Sequence, residues 1–344
     1  MSRPTRTDVA RYARVSEATV SRALSGRVDL AITKDTRARV LAAAEALGYR
    51  PNPTAQALAA GRTQIIGLWM CLDYSRYRAQ VVDRMQRLLR QSDYCMAITD
   101  IEEEIGQHHS FTRASRVPVD GLIAFDTPTA GSIFARDSRT EHPCFVSMGA
   151  YWDPHTHFVG VDLYAGAVEA VEHLVSTGRK RIAFLHLAAQ DPGSAKARYD
   201  AYCDVLQQAG LETQFILAPA ISVADAHRSV REYLQARSGV DAIFCLNDDL
   251  ALGAHQAITA LGMQVGGEIA LVGCDGIEET ELLPCPITTL RQPVEEMCRL
   301  AWQFLQTCME DPSGPLQQRI LKPRLILRAS SDPASARQKG GDAS

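Results

Sequence analysis

No apolar run in this 344-residue chain approaches the roughly 18 residues needed to cross a membrane. The amino terminus, MSRPTRTDVARYARVS, lacks the apolar core of a signal peptide, so a cytoplasmic location with no membrane partner is expected. Nor do the 9 cysteines include a C-x-x-C pair. That absence excludes a zinc knuckle and a secreted disulfide framework, and predicts reduced, largely buried thiols with no metal or cofactor. The final stretch, ASSDPASARQKGGDAS, has no a/d heptad and offers no coiled coil for a tetramer. Residues 332–344 are expected to form a disordered tail.

What is present is an ordinary globular composition, 46% hydrophobic and 22% charged, in a chain long enough for two or three compact units. Its charge is divided unevenly. Residues 1–62 carry a net +6 from 11 Lys and Arg against 5 Asp and Glu, whereas the remainder is −10. A basic segment on an acidic body suggests an anionic partner for the first segment alone, although charge by itself fits an arginine-rich solvated surface equally well.

Pattern separates the two. Thr5-Arg6-Thr7-Asp8 has the form of a capping box, and Val9, Ala10 and Ala13 follow, which predicts a helix over about 6–13. After a tight turn at Arg14-Val15, Ser16 is a good N-cap for a second helix with Val20, Ala23 and Leu24 on one face, ended by Gly26. The opposite face is short or polar: Glu17, Ala18, Ser21 and Arg22 leave little to bury. Two short helices so joined describe a helix-turn-helix, whose second helix can enter a major groove. A third, beginning near Thr33, is amphipathic through Val40, Leu41, Ala44 and Leu47 and closes at Gly48. In RPNPTAQALAAGRT, Asn52 is a plausible N-cap, Pro53 suits the first helical position and Gly61 is a stop. Such a short helix needs a partner to fold.

From Ile65 onward, apolar runs alternate with helical segments: IIGLWM, CMAI, GLIAF, CFVS, FVGV, RIAFLH, QFIL, AIFCL, IALVG and ITTL. Continuous runs of this kind are what parallel strands buried on both faces look like. Ten would overfill one sheet, so two doubly wound lobes are expected, with a ligand at the carboxyl ends of their strands.

DVARYARVSEATVSRAL, followed by TRARVLAAAEALGYRPNPTAQALAAGRTQIIGL, resembles the headpiece and hinge of lactose-repressor-type (LacI/GalR) transcription regulators. VDGLIAF, GAVEAVEHLVSTGRKRIAFL, GSAKARYDAY, AIFCLNDDLALGAHQAITALG, IALVGCDG and ITTLRQP continue the resemblance to about residue 331. It implies an all-α helix-turn-helix domain over 1–50, a hinge helix over 51–62, and an α/β two-lobed periplasmic-binding-protein-like domain with two doubly wound parallel sheets over 63–331. Lobe 1 would take about 63–161 and 292–320, lobe 2 about 162–290 and 321–331, with crossovers near 161–163, 289–292 and 320–322.

The resemblance further implies a homodimer on a pseudo-palindromic operator in double-stranded DNA, controlled by a small-molecule effector, a sugar or sugar derivative. Glu17, Ala18 and Arg22 would read base edges, a role their chemistry allows: Arg22 can donate twice to guanine, Glu17 can accept from cytosine, and the Ala18 methyl can meet a thymine methyl. As a bland alternative, Glu17 is a first-turn acid favouring the helix dipole. Thr5, Ser16, Thr19, Ser21 and Asn52 would hold phosphates. Ala55 and Leu58 belong to the minor-groove hinge, Leu58 as the wedge that unstacks a base step. Effector contacts carried over by position are Ser194, Arg198, Asn247, Asp275 and Gln292. Lobe 1 departs from the family: CLDYSRYRA replaces its usual stretch, and Met148 or Gly149 stands where many relatives have a carboxylate, for which Asp73 and Tyr77 are the candidate replacements. Arg14 stands where relatives often have glycine, and a positive φ there costs on the order of 1 kcal/mol. The loop SGRVDLAI is about two residues longer than in many relatives.

Two other classes compete. A solute-binding protein explains residues 63–330 but not the basic headpiece or the lack of an export signal. An enzyme would draw on Cys274 beside Asp275, His186, or the pairs His108/His109 and His155/His157, none of which forms a nucleophile or metal motif.

Overall fold

The computed structural model describes residues 4–24, 32–50, 61–71, 75–101, 118–127, 144–152, 154–188, 196–237 and 239–332. The hinge positions Asn52, Ala55 and Leu58, the effector candidates Asp73 and Ser194, the pair His108/His109, Gly26 with the 25–31 loop, and the 333–344 tail lie outside them. Chain contacts divide the protein into two units, Met1–Gln64 and Ile65–Ser344.

The first unit holds α1 (Arg6–Ala13), α2 (Glu17–Leu24) and α3 (Lys34–Ala46). Each begins on a side-chain cap. The Asp8 amide donates to the Thr5 hydroxyl at 3.3 Å while the Asp8 carboxylate accepts from the Thr5 amide at 2.9 Å. The amides of Thr19 and Thr36 donate to the hydroxyls of Ser16 and Thr33 at 3.1 and 3.2 Å. Val9, Ala10, Ala13, Val20, Ala23, Val40, Ala43 and Ala44 form the core, their small side chains letting the helices approach. Leu41 is not among them. It is 50% exposed, because the inward face of α3 runs through Val40, Ala43 and Ala44.

Arg14 ends α1 in the left-handed conformation, φ 53° and ψ 50°, with its amide bonded back to Ala10 and Arg11. A β-carbon there pays a steric penalty that glycine does not. Arg14→Gly is therefore expected to stabilise the headpiece by about 0.5–1 kcal/mol, slowing amide exchange at Val9, Val20 and Val40. Unchanged or faster exchange would show that the Arg14 side chain repays its own strain.

The second unit is built on two six-stranded sheets. One has the order β11-β5-β4-β3-β1-β2, with β1 (Ile65–Met70), β2 (Cys95–Asp100), β3 (Gly121–Phe125), β4 (Cys144–Gly149), β5 (His157–Val161) and β11 (Gln318–Leu321), all parallel. Helices α4 (Arg76–Gln91) and α9 (Val294–Glu310) pack on it. The other has the order β12-β10-β9-β8-β6-β7, with β6 (Ile182–Leu187), β7 (Gln214–Ala218), β8 (Ala242–Cys245), β9 (Ala270–Asp275), β10 (Thr288–Arg291) and β12 (Arg324–Ile326). Only β12 runs antiparallel. Helices α5 (Leu163–Ser176), α6 (Lys196–Gln208), α7 (Val223–Ala236) and α8 (Asp248–Ala260) accompany this second sheet. The chain passes between the sheets at Asp162, at Gln292–Pro293 and at Lys322–Pro323.

All ten apolar runs are strands. Burial on both faces holds for β3 and β9 but not for β2 or β7, whose edge positions leave Cys95, Ile98 and Leu217 exposed. The expectation of uniformly reduced thiols also needs correction. Cys144 at the start of β4 and Cys308 near the end of α9 are paired as a disulfide, with Cα atoms 5.7 Å apart across 164 residues of sequence. Packing of α9 against β4 brings them together. The remaining thiols include buried Cys245, Cys274 and Cys298 and exposed Cys95.

Candidate functional site

Helix α2 turns Val20 and Ala23 into the headpiece core, and this fixes what faces outward: Ser16, Glu17, Ala18, Ser21 and Arg22 are exposed and Thr19 is half-buried. The predicted reading residues thus share one solvent face of a short helix. Glu17 has a local task as well. Its carboxylate accepts from the Thr7 hydroxyl at 2.8 Å and from Arg6 Nε at 3.3 Å, tying the first turn of α2 to α1. The Thr7 bond holds the carboxyl below its usual range.

In the second unit a cavity of about 60 Å³ lies between the lobes. Five of the predicted contacts, Tyr77, Arg198, Asn247, Asp275 and Gln292, line it. Each is placed by an element end. Arg198 sits in the first turn of α6, 7% exposed, with Nη1 3.6 Å from Cys274 Sγ. Asn247 follows β8 and caps α8, accepting from the Leu250 amide at 2.9 Å. Asp275 closes β9 with φ 128°. Gln292 is the crossover residue itself. Its Nε2 donates to Asp275 at 2.8 Å, and its Oε1 accepts from the Tyr77 hydroxyl at 2.9 Å. Tyr77 comes from α4 of lobe 1, so one relay of buried hydrogen bonds runs from lobe to lobe. Burial raises the Tyr77 hydroxyl's pKa well above its ordinary value, which keeps it a donor.

Sequence reasoning missed Asp126. It follows β3 with φ 49°, lines the cavity, and accepts from the Ala150 amide at 2.7 Å. Met148 is fully buried and points into the core, while a β-carbon on Gly149 would lie 2.3 Å from Asp126 Oδ1. The absent β4 side chain therefore leaves the space that a carboxylate from the neighbouring strand fills. The signal was available: Asp126 follows the run GLIAF just as Asp275 ends the run ALVGCD. Arg78 and Tyr151 also line the cavity from lobe 1.

Beside the cavity, Arg76 at the start of α4 reaches across to lobe 2. Its amide donates to Asp249 at 3.2 Å, its guanidinium pairs with the same carboxylate, and Nε lies 3.4 Å from Glu279. Asp248, the neighbouring residue, is completely buried and accepts from Thr289 Oγ1 at 2.7 Å and from the amides of Gly276 and Ile277 at 2.7 and 2.9 Å. Burial pushes it up to about 6, against the pull of those bonds, and burial with the Asp248 charge pushes Asp275 up as well. A carboxyl with a folded pKa above its unfolded value makes the native state bind the extra proton. Its contribution to stability is present near pH 4 and lost as pH rises through about 6. Asp248→Asn is thus expected to gain stability relative to the native chain between pH 4.5 and 7.5, measured by urea unfolding. A constant or shrinking difference would mean that Asp248 is ionised throughout.

Among the enzyme candidates, Cys274 is buried and pushed up to about 12, chiefly by desolvation, so it stays a thiol and not a nucleophilic thiolate. His186 stacks on Phe184 with ring centroids 5.1 Å apart, and His157 Nδ1 accepts from the Gln317 amide at 3.0 Å. Among the described residues no group of three or more His, Cys, Asp or Glu is arranged to hold a metal, and no helix is long and apolar enough to cross a membrane.

Residues 5–52 match the family described as bacterial regulatory proteins, lacI family, and residues 171–331 match the periplasmic binding protein-like domain. Across 327 residues the chain is 26% identical to an HTH-type transcriptional repressor PurR of Aliivibrio salmonicida, covering 94% of this chain and 97% of that protein. It is 26% identical over 330 residues to the ribose operon repressor of Escherichia coli, covering 94% and 98%. Among solved structures, the lac repressor dimer bound to operator and the anti-inducer ONPF aligns with a TM-score of 0.78 at 24% identity over 96% of this chain and 99% of that one. A helix-turn-helix headpiece followed by two doubly wound lobes is matched along nearly the whole chain by repressors of the same build: the protein joins a lacI-family DNA-binding domain to a periplasmic binding protein-like domain, the build of the lacI-type transcription regulators.

Proposed function

We propose that the chain is a cytoplasmic, dimeric repressor whose affinity for a pseudo-palindromic operator is set by a small polyhydroxy effector, a sugar or sugar derivative, bound between the lobes. The observation that carries this reading is the relay Tyr77–Gln292–Asp275, buried from one lobe to the other and flanked by Arg198 and Asn247. Carboxylate, guanidinium and amides together can bracket adjacent hydroxyls, each serving as donor or acceptor as needed. Asp126 supplies a second carboxylate from lobe 1, in the place where the family resemblance left a gap. Ligand-bound relatives point the same way: a LacI-family regulator from Enterococcus faecium with bound ribose aligns over 78% of this chain with a TM-score of 0.68 at 19% identity.

A cavity of about 60 Å³ is small beside the roughly 300–1,000 Å³ of drug-sized ligand sites. Entry of an effector then requires the lobes to part, breaking or rearranging the Arg76 contacts with Asp249 and Glu279. That movement is the route by which the ligand reaches the headpiece. Coupling is reciprocal, so operator DNA changes effector affinity by the same factor. In the headpiece, Arg22, Ala18 and Glu17 read bases, Thr5, Ser16, Thr19, Ser21 and Asn52 hold the backbone, and Ala55 with Leu58 enters the minor groove.

The test selects DNA from a random library with the full-length protein, beside a chain starting at Thr63, at a stated salt concentration. An enriched palindrome retained only by the full-length protein is expected. Equal enrichment by both chains, or none with either sugar or nucleoside mixtures present, would defeat the proposal.

A further inference from the structure

Regulators that act on DNA in the cytoplasm work among thiols kept reduced by glutathione, where disulfides are rare and those that form are transient and redox-sensing. The Cys144–Cys308 pair does not fit the expectation of reduced thiols, and its placement gives it a use. Cys144 opens β4, whose far end delivers Ala150 and Tyr151 to the effector cavity, the Ala150 amide holding Asp126. Cys308 lies in the last turn of α9, whose first residue, Val294, is two positions after Gln292. Its 17 residues make a rod about 25 Å long, stiff enough to carry a restraint at one end to the other. The bond therefore joins the distal ends of two elements that both terminate at the cavity.

We propose that Cys144 and Cys308 are a reversible thiol–disulfide switch that restrains lobe 1 around the effector cavity. Accessibility sets the order of events. Cys144 is partly exposed and Cys308 nearly buried, so the Cys144 thiolate attacks glutathione disulfide first, forming a mixed disulfide and releasing one glutathione thiolate. The Cys308 thiolate then attacks Cys144 Sγ and expels the second. Two protein thiols lose two protons and two electrons, and one glutathione disulfide becomes two glutathione molecules. The other seven cysteines are in no disulfide: Cys245, Cys274 and Cys298 are buried, Cys71, Cys203 and Cys285 are half-buried, and exposed Cys95 takes glutathione only as a mixed disulfide.

The full-length protein is equilibrated in glutathione buffers from fully reduced to fully oxidised, quenched by alkylation under denaturing conditions and mapped by mass spectrometry. Cys144 and Cys308 are expected to lose alkylation together, with both forms populated within the series. Hydrogen exchange in peptides covering 144–151 and 292–300 is expected to slow about threefold or more on oxidation, and Cys308→Ser or Cys144→Ser removes the change. Alkylation of both thiols in every buffer overturns the proposal, as does a bond present in every buffer or a bond that leaves exchange unchanged. A third arm rests on the operator-binding function proposed above: operator affinity differs between the two forms. Its failure, with the first two arms standing, would count against that coupling and not against the switch.

Discussion

Arg22→Ala lowers the affinity of the full-length protein for its selected operator by roughly ten- to a hundredfold, the span expected when a two-bond arginine contact with guanine, about 1–3 kcal/mol, is removed. The fold is not at stake, since Arg22 is exposed and the core face of α2 is carried by Val20 and Ala23. Affinity for an unrelated duplex falls far less, because a single positive charge is removed from a basic headpiece. The discriminating measurement is therefore a pair of titrations at one salt concentration, on the selected operator and on its scrambled sequence. Unequal losses, concentrated at one base-pair position, identify Arg22 as a reader. Equal losses on both duplexes would reduce it to a phosphate contact and move sequence recognition to Glu17 and Ala18. Glu17 is the weaker candidate of the two for an independent role, because Thr7 and Arg6 already occupy its carboxylate.

The largest effect on stability is expected from Gly253→Ala. Helices α7 and α8 pack so closely that a β-carbon on Gly253 would lie 2.4 Å from the Val223 carbonyl oxygen, 2.6 Å from Ala226 Cβ and 2.9 Å from the His227 amide nitrogen. Two of these neighbours are backbone, which cannot rotate away, so the helices must separate. Overpacking of this kind costs about 1–3 kcal/mol or more. Urea unfolding of the body should show the loss, while amide exchange in the headpiece core stays as it was. A stability within about 0.5 kcal/mol of the native chain would mean that α7 slides without penalty.

The strands were legible where the sheet is deepest. Runs such as GLIAF and IALVG are uninterrupted because both faces of β3 and β9 are covered. β11 and β12 were not, since QRIL and RLI are three- or four-residue edge strands with polar members and mostly exposed or half-buried side chains. The headpiece could be read in detail, because caps are local: Thr5 with Asp8, Ser16 and Thr33 each announce a helix within four residues. Leu41 misled because helical periodicity tolerates a neighbouring row until packing chooses one. Asp126 and the Cys144–Cys308 pair depend on what lies beside them in space. In one case it is a missing side chain on the next strand, in the other a partner 164 residues away.

Both sheets are finished by the late strands β11 and β12, which pair with β5 and β10. The order of synthesis therefore matters. The caps and core of α1, α2 and α3 are complete once residue 49 has left the ribosome, but neither lobe can close until residues 318–326 emerge. At bacterial elongation rates that interval is on the order of tens of seconds. For that time each nascent chain carries a finished headpiece ahead of two unfinished lobes. A chain broken off before residue 318 would carry the complete headpiece core but neither of the strands that finish the two sheets.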